Sequence, residues 1–173
     1  NKHYLRLKSG KLFPVIGILR IDGRTYRFMG GDSLRISPIA PLANDSVGWS
    51  GKYSYLFPGK GWEQKEYDDS FWKEGNGAFG PVKGNSNICT AWGAENIYVR
   101  RHIKIDNKDT LEGHKIYVCY ICDDQIKLFW NGDFFSEKGI TYQTQCERLT
   151  DEAIAHICNG TNVLAAYGRN TGG

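Results

Sequence analysis

The sequence predicts an all-β protein, an antiparallel sandwich with only short helices. Three observations carry this. Residues 96–106 alternate, with Ile97, Val99, Arg101, Ile103 and Ile105 on one side and Tyr98, Arg100, His102 and Lys104 on the other. That is the period of a strand with one buried face. Two dipeptides, Asp22-Gly23 and Asn131-Gly132, sit between β-rich runs. Both residue types tolerate positive φ, which the tightest hairpin turns require. Finally, helical periodicity is scarce throughout.

The elements follow in order. Residues 1–10 are polar and basic, and read as a poorly tied arm. Leu12–Ile21 and Arg24–Met29 form a hairpin about Asp22-Gly23. Residues 34–48 carry Pro38, Pro41, Asn44 and Asp45 and read as a long surface connection. Trp49–Phe57 is a strand closed by Pro58-Gly59. Asp68 or Asp69 caps a short helical turn that folds Trp72 back onto the core. Asn76–Pro81 is loop, and residues 82–95 are irregular, with Trp92 their one large anchor. Arg101 interrupts the apolar side of the 96–106 strand, so it is expected at a sheet edge or against a carboxylate. Lys115–Cys122 is apolar on both faces, as in a central strand. Thr150 caps a short helix over Asp151–Ile157 that stops at Asn159-Gly160. Asn162–Tyr167 is a further strand.

Composition narrows the function classes. The 173 residues suit one domain with a real core, and the net charge is only +3 with both signs interspersed. Nucleic-acid binding is not expected, because no basic stripe is present. No run approaches the ~18 apolar residues of a membrane span. No signal-peptide pattern stands at Asn1. The five cysteines, Cys89, Cys119, Cys122, Cys146 and Cys158, are expected to be mainly buried, unpaired thiols. Cys119 and Cys122 have C-x-x-C spacing, but three residues apart in a strand they point to opposite faces. No metal and no cofactor is expected.

The order of several motifs carries a resemblance. Tyr-Asp-Asp-Ser-Phe-Trp-Lys (67–73) is followed by Ala-Phe-Gly (78–80) and Ile-Tyr-Val-Arg-Arg-His-Ile (97–103). Cys-Asp-Asp-Gln-Ile-Lys-Leu-Phe-Trp-Asn-Gly-Asp (122–133) comes next, then Gly-Thr-Asn-Val-Leu-Ala-Ala-Tyr (160–167). From Lys52 to Tyr167 this resembles the galactose-binding-domain-like jelly roll, especially the sugar-binding module of family 2 glycoside hydrolases. The segment Gly17–Gly30 is similar to the lead-in of this domain in glutaminase-A-like secreted proteins of gut Bacteroidetes. The resemblance implies a jelly-roll sandwich over 49–173, preceded by a hairpin and connection over 1–48 that packs on it or leads into it, in one structural domain overall. It implies an accessory module whose partners are a saccharide and a downstream catalytic-like domain of the same polypeptide. It also implies a secreted, periplasmic or cell-surface location. The final strand expected after Thr171-Gly172-Gly173 is missing from the pattern, and nothing resembles the downstream helical domain.

No residue is assigned a catalytic role. Asp68-Asp69 and Asp123-Asp124 are paired carboxylates of the kind glycosidases use, but adjacent acids at turns more often satisfy local N–H groups. The four histidines, His3, His102, His114 and His156, have no nucleophile partner and no metal-ligand spacing. Trp72 and Trp130 sit where core packing is expected. Trp62 and Trp92 lie in loops and, with Glu95 and Tyr142, are the candidate saccharide-binding residues; the alternative for both tryptophans is that they pin their long loops to the sandwich or fill an interface to the next domain. An aromatic face meets sugar C–H groups, and nearby polar groups meet hydroxyls. The rival reading is a small autonomous hydrolase, a glycosidase, that uses loop carboxylates.

Overall fold

A computed structural model describes residues 4–6, 12–21, 24–29, 39–40, 49–81, 88–141 and 144–172. In chain order the strands are β1 (Tyr4–Arg6), β2 (Leu12–Ile21), β3 (Arg24–Met29), β4 (Trp49–Ser54), β5 (Lys73–Gly77), β6 (Phe79–Gly80), β7 (Thr90–Ala91), β8 (Asn96–Ile105), β9 (Tyr117–Tyr120), β10 (Gln125–Trp130), β11 (Asp133–Lys138), β12 (Gln145–Arg148) and β13 (Gly160–Arg169). A 3-10 turn spans Lys108–Leu111, and one short helix, α1, spans Asp151–Ala155.

The fold is the expected antiparallel β-sandwich of jelly-roll class. Its main layer is a six-stranded sheet in the order β11-β10-β13-β8-β4-β5. Across the core lies the β12–β9 pair, and β2 of a separate three-stranded sheet, β1-β2-β3, runs beside β12. Among the described residues the one parallel pairing is the short β6–β7 bridge.

Register fixes which side chains share a face, because directly paired residues project to the same side. On the inner face, Ile103 and Ile105 of β8 and Trp130 of β10 pack against Ile116, Leu149, Ala153 and Ile157. Leu149 and Ala153 are fully buried, so α1 plugs one end of the sandwich. Thr150 caps α1 as expected: its hydroxyl accepts from the Ala153 N–H at 3.2 Å. Thr150→Ala should lower stability by about 1 kcal/mol, read as a shift in urea midpoint with an unchanged slope. No shift would mean that packing alone positions the helix.

The Asn131-Gly132 hairpin forms between β10 and β11. Both residues have positive φ, 50° and 98°. The Asn131 side chain then joins three elements. Its Oδ1 accepts from the Val163 N–H at 2.7 Å, while its amide donates to Asn162 Oδ1 at 2.9 Å and to the His156 carbonyl at 2.8 Å.

Several expectations need correction. The polar start contributes β1, which pairs with β2 through backbone groups that need no apolar side chains. Residues 73–80, read partly as loop, form β5 and β6. Lys115–Cys122 is not a central strand: β9 is only four residues long, half-buried, and among the described residues pairs with β12 alone in a two-stranded sheet. Asp69–Trp72 is a single turn, closed by the Trp72 N–H on the Asp69 carbonyl at 3.0 Å. The Asp22-Gly23 turn and most of the 34–48 connection lie outside the described residues.

The thiol expectation is overturned most clearly. Cys119 and Cys146 are bonded in a disulfide, with Cα atoms 4.0 Å apart. They stand directly opposite each other in the β9–β12 ladder. Register between β9 and β12, which the β10–β11 hairpin separates in the sequence, creates this pair, and spacing in the sequence does not display it. Cys89, Cys122 and Cys158 lie outside the bridge. Among the described residues, no group of His, Cys, Asp and Glu side chains is arranged to hold a metal ion.

Candidate ligand-binding face

The outer face of the six-stranded sheet starts from the even-numbered residues of β8. Tyr98 pairs with Tyr167, Arg100 with Ala165, and His102 with Val163. On the next strand, Tyr167 faces Lys127 and Ala165 faces Phe129. These side chains therefore form one continuous surface. Val163 and Ala165 are fully buried, so something covers that face. The cover is the segment 61–72, whose Trp62 packs on Val163 and Ala165 and is 6% exposed.

Arg100 holds this cover down. Its side chain is fully buried, and Nε donates to Asp69 Oδ2 at 2.6 Å. The guanidinium also donates to the carbonyls of Trp62, of Gln64 at 2.7 Å and of Tyr67 at 3.3 Å. A planar fork with five N–H groups is suited to meeting several acceptors at once. Asp69 is held further by His102 Nε2, 3.2 Å from the same oxygen. Asp68 does take the expected turn role, accepting from the Ser70 N–H at 3.0 Å, and that bond holds its carboxyl below the usual range. Asp69 instead anchors the cover to the sheet. Asp124 ties down Thr171, accepting from its hydroxyl at 2.7 Å and its N–H at 2.5 Å. Those bonds lower the Asp124 pKa. Of the two adjacent arginines, it is Arg100 that pairs with Asp69. Arg101 sits on a central strand and stacks its guanidinium over Trp49, 4.7 Å from the ring centroid; burial lowers its pKa to about 10.

Beside the cover the face stays open. Trp62, Tyr98, Lys127, Phe129 and Tyr167 line a shallow recess of about 190 Å³. Its walls are aromatic rings in mutual contact. Tyr98 lies 5.2 Å from both Trp62 and Tyr167, and Phe129 lies 5.7 Å from Trp62. Phe57, 65% exposed, extends the row at 5.9 Å from Tyr98. Polar atoms stand at the rim. The Tyr167 hydroxyl donates to Asn96 Oδ1 at 2.8 Å, and Lys127 pairs with Glu137 at 3.4 Å. Burial raises the Tyr98 pKa, with the nearby Tyr167 adding to the effect. Apolar rings beside donors and acceptors can grip a ligand that has both C–H faces and hydroxyls. A second cleft of about 260 Å³, lined by Trp49, Arg101, His102 and Lys104 among others, lies where β4 leaves β8.

Of the sequence-derived candidates, the structure does not bring Trp62, Trp92 and Glu95 together. Trp62 forms one wall of the recess. Trp92 lies on the opposite side of the sheet, where its ring edge and Ile97 flank Gly168, and its indole N–H is buried. Glu95 is exposed and accepts two hydrogen bonds from Arg169, at 3.0 and 3.1 Å, at the end of the β8–β13 ladder. Tyr142 lies outside the described residues. Sequence reasoning missed Tyr98, Lys127, Phe129 and Tyr167. The available signal was the presence of large aromatics on the second face of both β8 and β13, where a solvated face would be polar.

Comparisons with known proteins agree with this architecture. A family model described as a domain of unknown function (DUF4964) matches residues 1–41. No curated protein matches the chain. Among solved structures, a β-glucuronidase from glycoside hydrolase family 2 is similar with a TM-score of 0.56 at 18% identity, over 73% of this chain and 14% of that one. A glycosyl hydrolase family 2 member from Bacteroides cellulosilyticus gives 0.54 at 17%, over 72% and 17%. A Lactobacillus rhamnosus β-glucuronidase gives 0.52 at 12%, over 76% and 22%. The chain thus spans at most 22% of the length of these three proteins, and what it shares with them is the fold.

Proposed function

We propose that the chain is a non-catalytic accessory module of a larger secreted bacterial protein, glycoside-hydrolase-like or glutaminase-A-like in organisation, and that it binds saccharide. The single observation that carries the binding role is the open aromatic recess beside Trp62. Two further features support the accessory role. The sandwich corresponds to a small part of multidomain glycosidase chains, and three of the four paired carboxylates singled out in the sequence are engaged in holding local structure. The Cys119–Cys146 bridge supports a location outside the reducing cytoplasm. The glutaminase-A-like affiliation rests on the similarity of Gly17–Gly30.

A glycan array followed by calorimetry tests the reading. Weak binding of a saccharide is expected, and Tyr98→Ala should reduce that affinity at least about tenfold, or 1.4 kcal/mol, while the circular dichroism spectrum is kept. Silence of the unmodified chain across the array would remove the binding role. Sustained release of reducing sugar by the purified chain would restore the autonomous hydrolase.

A further inference from the structure

Resting on the saccharide-binding reading, we infer that the ligand is a linear, neutral oligosaccharide lying across the strands, held by a row of four side chains in exact register. Tyr98 of β8 pairs with Tyr167 of β13, Tyr167 with Lys127 of β10, and Lys127 with Glu137 of β11. All four project to the outer face. At the usual strand spacing the row runs roughly 14 Å, longer than a single sugar ring.

The row has two chemically distinct halves. Tyr98 and Tyr167, backed by Trp62, present rings in contact, and Phe57 continues them. This half offers apolar contact to the C–H face of a pyranose. The other half is a donor–acceptor cluster. Glu137 Oε1 accepts from Gln125 Nε2 at 2.7 Å and lies 3.4 Å from Lys127 Nζ. The Lys127 and Glu137 side chains are 39% and 41% exposed, so both are open to a ligand. An ammonium has three donors, and a carboxylate about four acceptor sites. Only part of that capacity is used internally.

This pairing determines the ligand class. A sugar hydroxyl both donates and accepts, so neighbouring hydroxyls on a ring can engage an adjacent cation and anion together. An acidic sugar gains from Lys127 but is repelled by Glu137, which sits directly opposite in the ladder. A neutral sugar incurs no such repulsion. One ring therefore rests on the tyrosines against Trp62, and the next places its hydroxyls over Lys127, Glu137 and Gln125.

Calorimetry on the full chain tests this with neutral gluco-, xylo-, galacto- and manno-hexasaccharides and with hexagalacturonate. The expected result has three parts. A neutral hexasaccharide binds and its affinity rises from the disaccharide to the tetrasaccharide. Hexagalacturonate binds at least about tenfold more weakly. Lys127→Met and Glu137→Gln each weaken the neutral ligand about tenfold, as for lost hydrogen bonds to charged groups, and Glu137→Gln narrows the gap to hexagalacturonate. Both variants change half-exposed positions, and an unchanged melting temperature verifies folding. If a neutral ligand binds and Tyr98→Ala weakens it, but neither Lys127→Met nor Glu137→Gln does, the register row falls and the accessory-binding reading stands. Preference for hexagalacturonate overturns the neutral assignment alone. If no saccharide binds at all, both fall together.

Discussion

Replacing Arg100 by alanine is expected to destabilise the domain by about 3–5 kcal/mol, the range for removing one partner of a buried ion pair. Among the described residues Arg100 is the largest fully buried side chain. Its loss leaves the Asp69 carboxylate, only 12% exposed, without its principal counter-charge. It also leaves the carbonyls of Trp62, Gln64 and Tyr67 without this donor. The damage is directional: it loosens segment 61–72, which carries a wall of the recess. Urea unfolding measures the stability, and tryptophan fluorescence, with Trp62 and Trp72 both in this region, reports the loosening. The double variant Arg100→Met/Asp69→Leu removes the stranded charge but not the need of the carbonyls for donors. It should recover part of the loss and no more. Full recovery would show that the backbone contacts contribute little.

The second large effect belongs to the disulfide. Cys119 and Cys146 are 27 residues apart, and closing a loop of that length restricts the unfolded chain by about 3.5 kcal/mol. Cys119→Ser/Cys146→Ser, or reduction of the native protein, should lower stability by about that amount. The lesion sits at the β9–β12 pair, so the six-stranded sheet should keep its far-ultraviolet signature at room temperature. Thiol titration in denaturant without reductant should return three groups in place of five. Five groups would show that the bridge does not form in solution.

What could be read from the sequence had local causes. The alternation of residues 96–106 gave β8 and its buried residues, because side-chain period follows directly from strand geometry. Asn131-Gly132 gave its hairpin through positive φ, and Thr150 gave its cap through one hydroxyl. What could not be read depends on register between distant strands. Nothing in the sequence near Arg100 and Arg101 says which of them meets Asp69, because that depends on where segment 61–72 crosses the sheet. That segment has no periodicity to reveal its position. Nor can Tyr98, Lys127 and Tyr167 be grouped before β8, β13 and β10 are aligned. The same reason hid the cysteine pair. Trp62 and Trp92 look alike as loop tryptophans, yet the sheet runs between them.

Strand β13 has a consequence for synthesis. It lies between β10 and β8 in the sheet, but the ribosome makes it after both. Until residues 160–169 emerge, β8 and β10 have no common neighbour, and the ladder that joins them pairs residues as distant as Asn96 and Arg169. Such non-local pairing folds slowly, on the order of milliseconds to seconds. During translation the nascent chain therefore carries two unfilled strand edges, the feature that invites association with other chains. A chain arrested just short of Gly160 should therefore aggregate where one released past Arg169 remains monomeric.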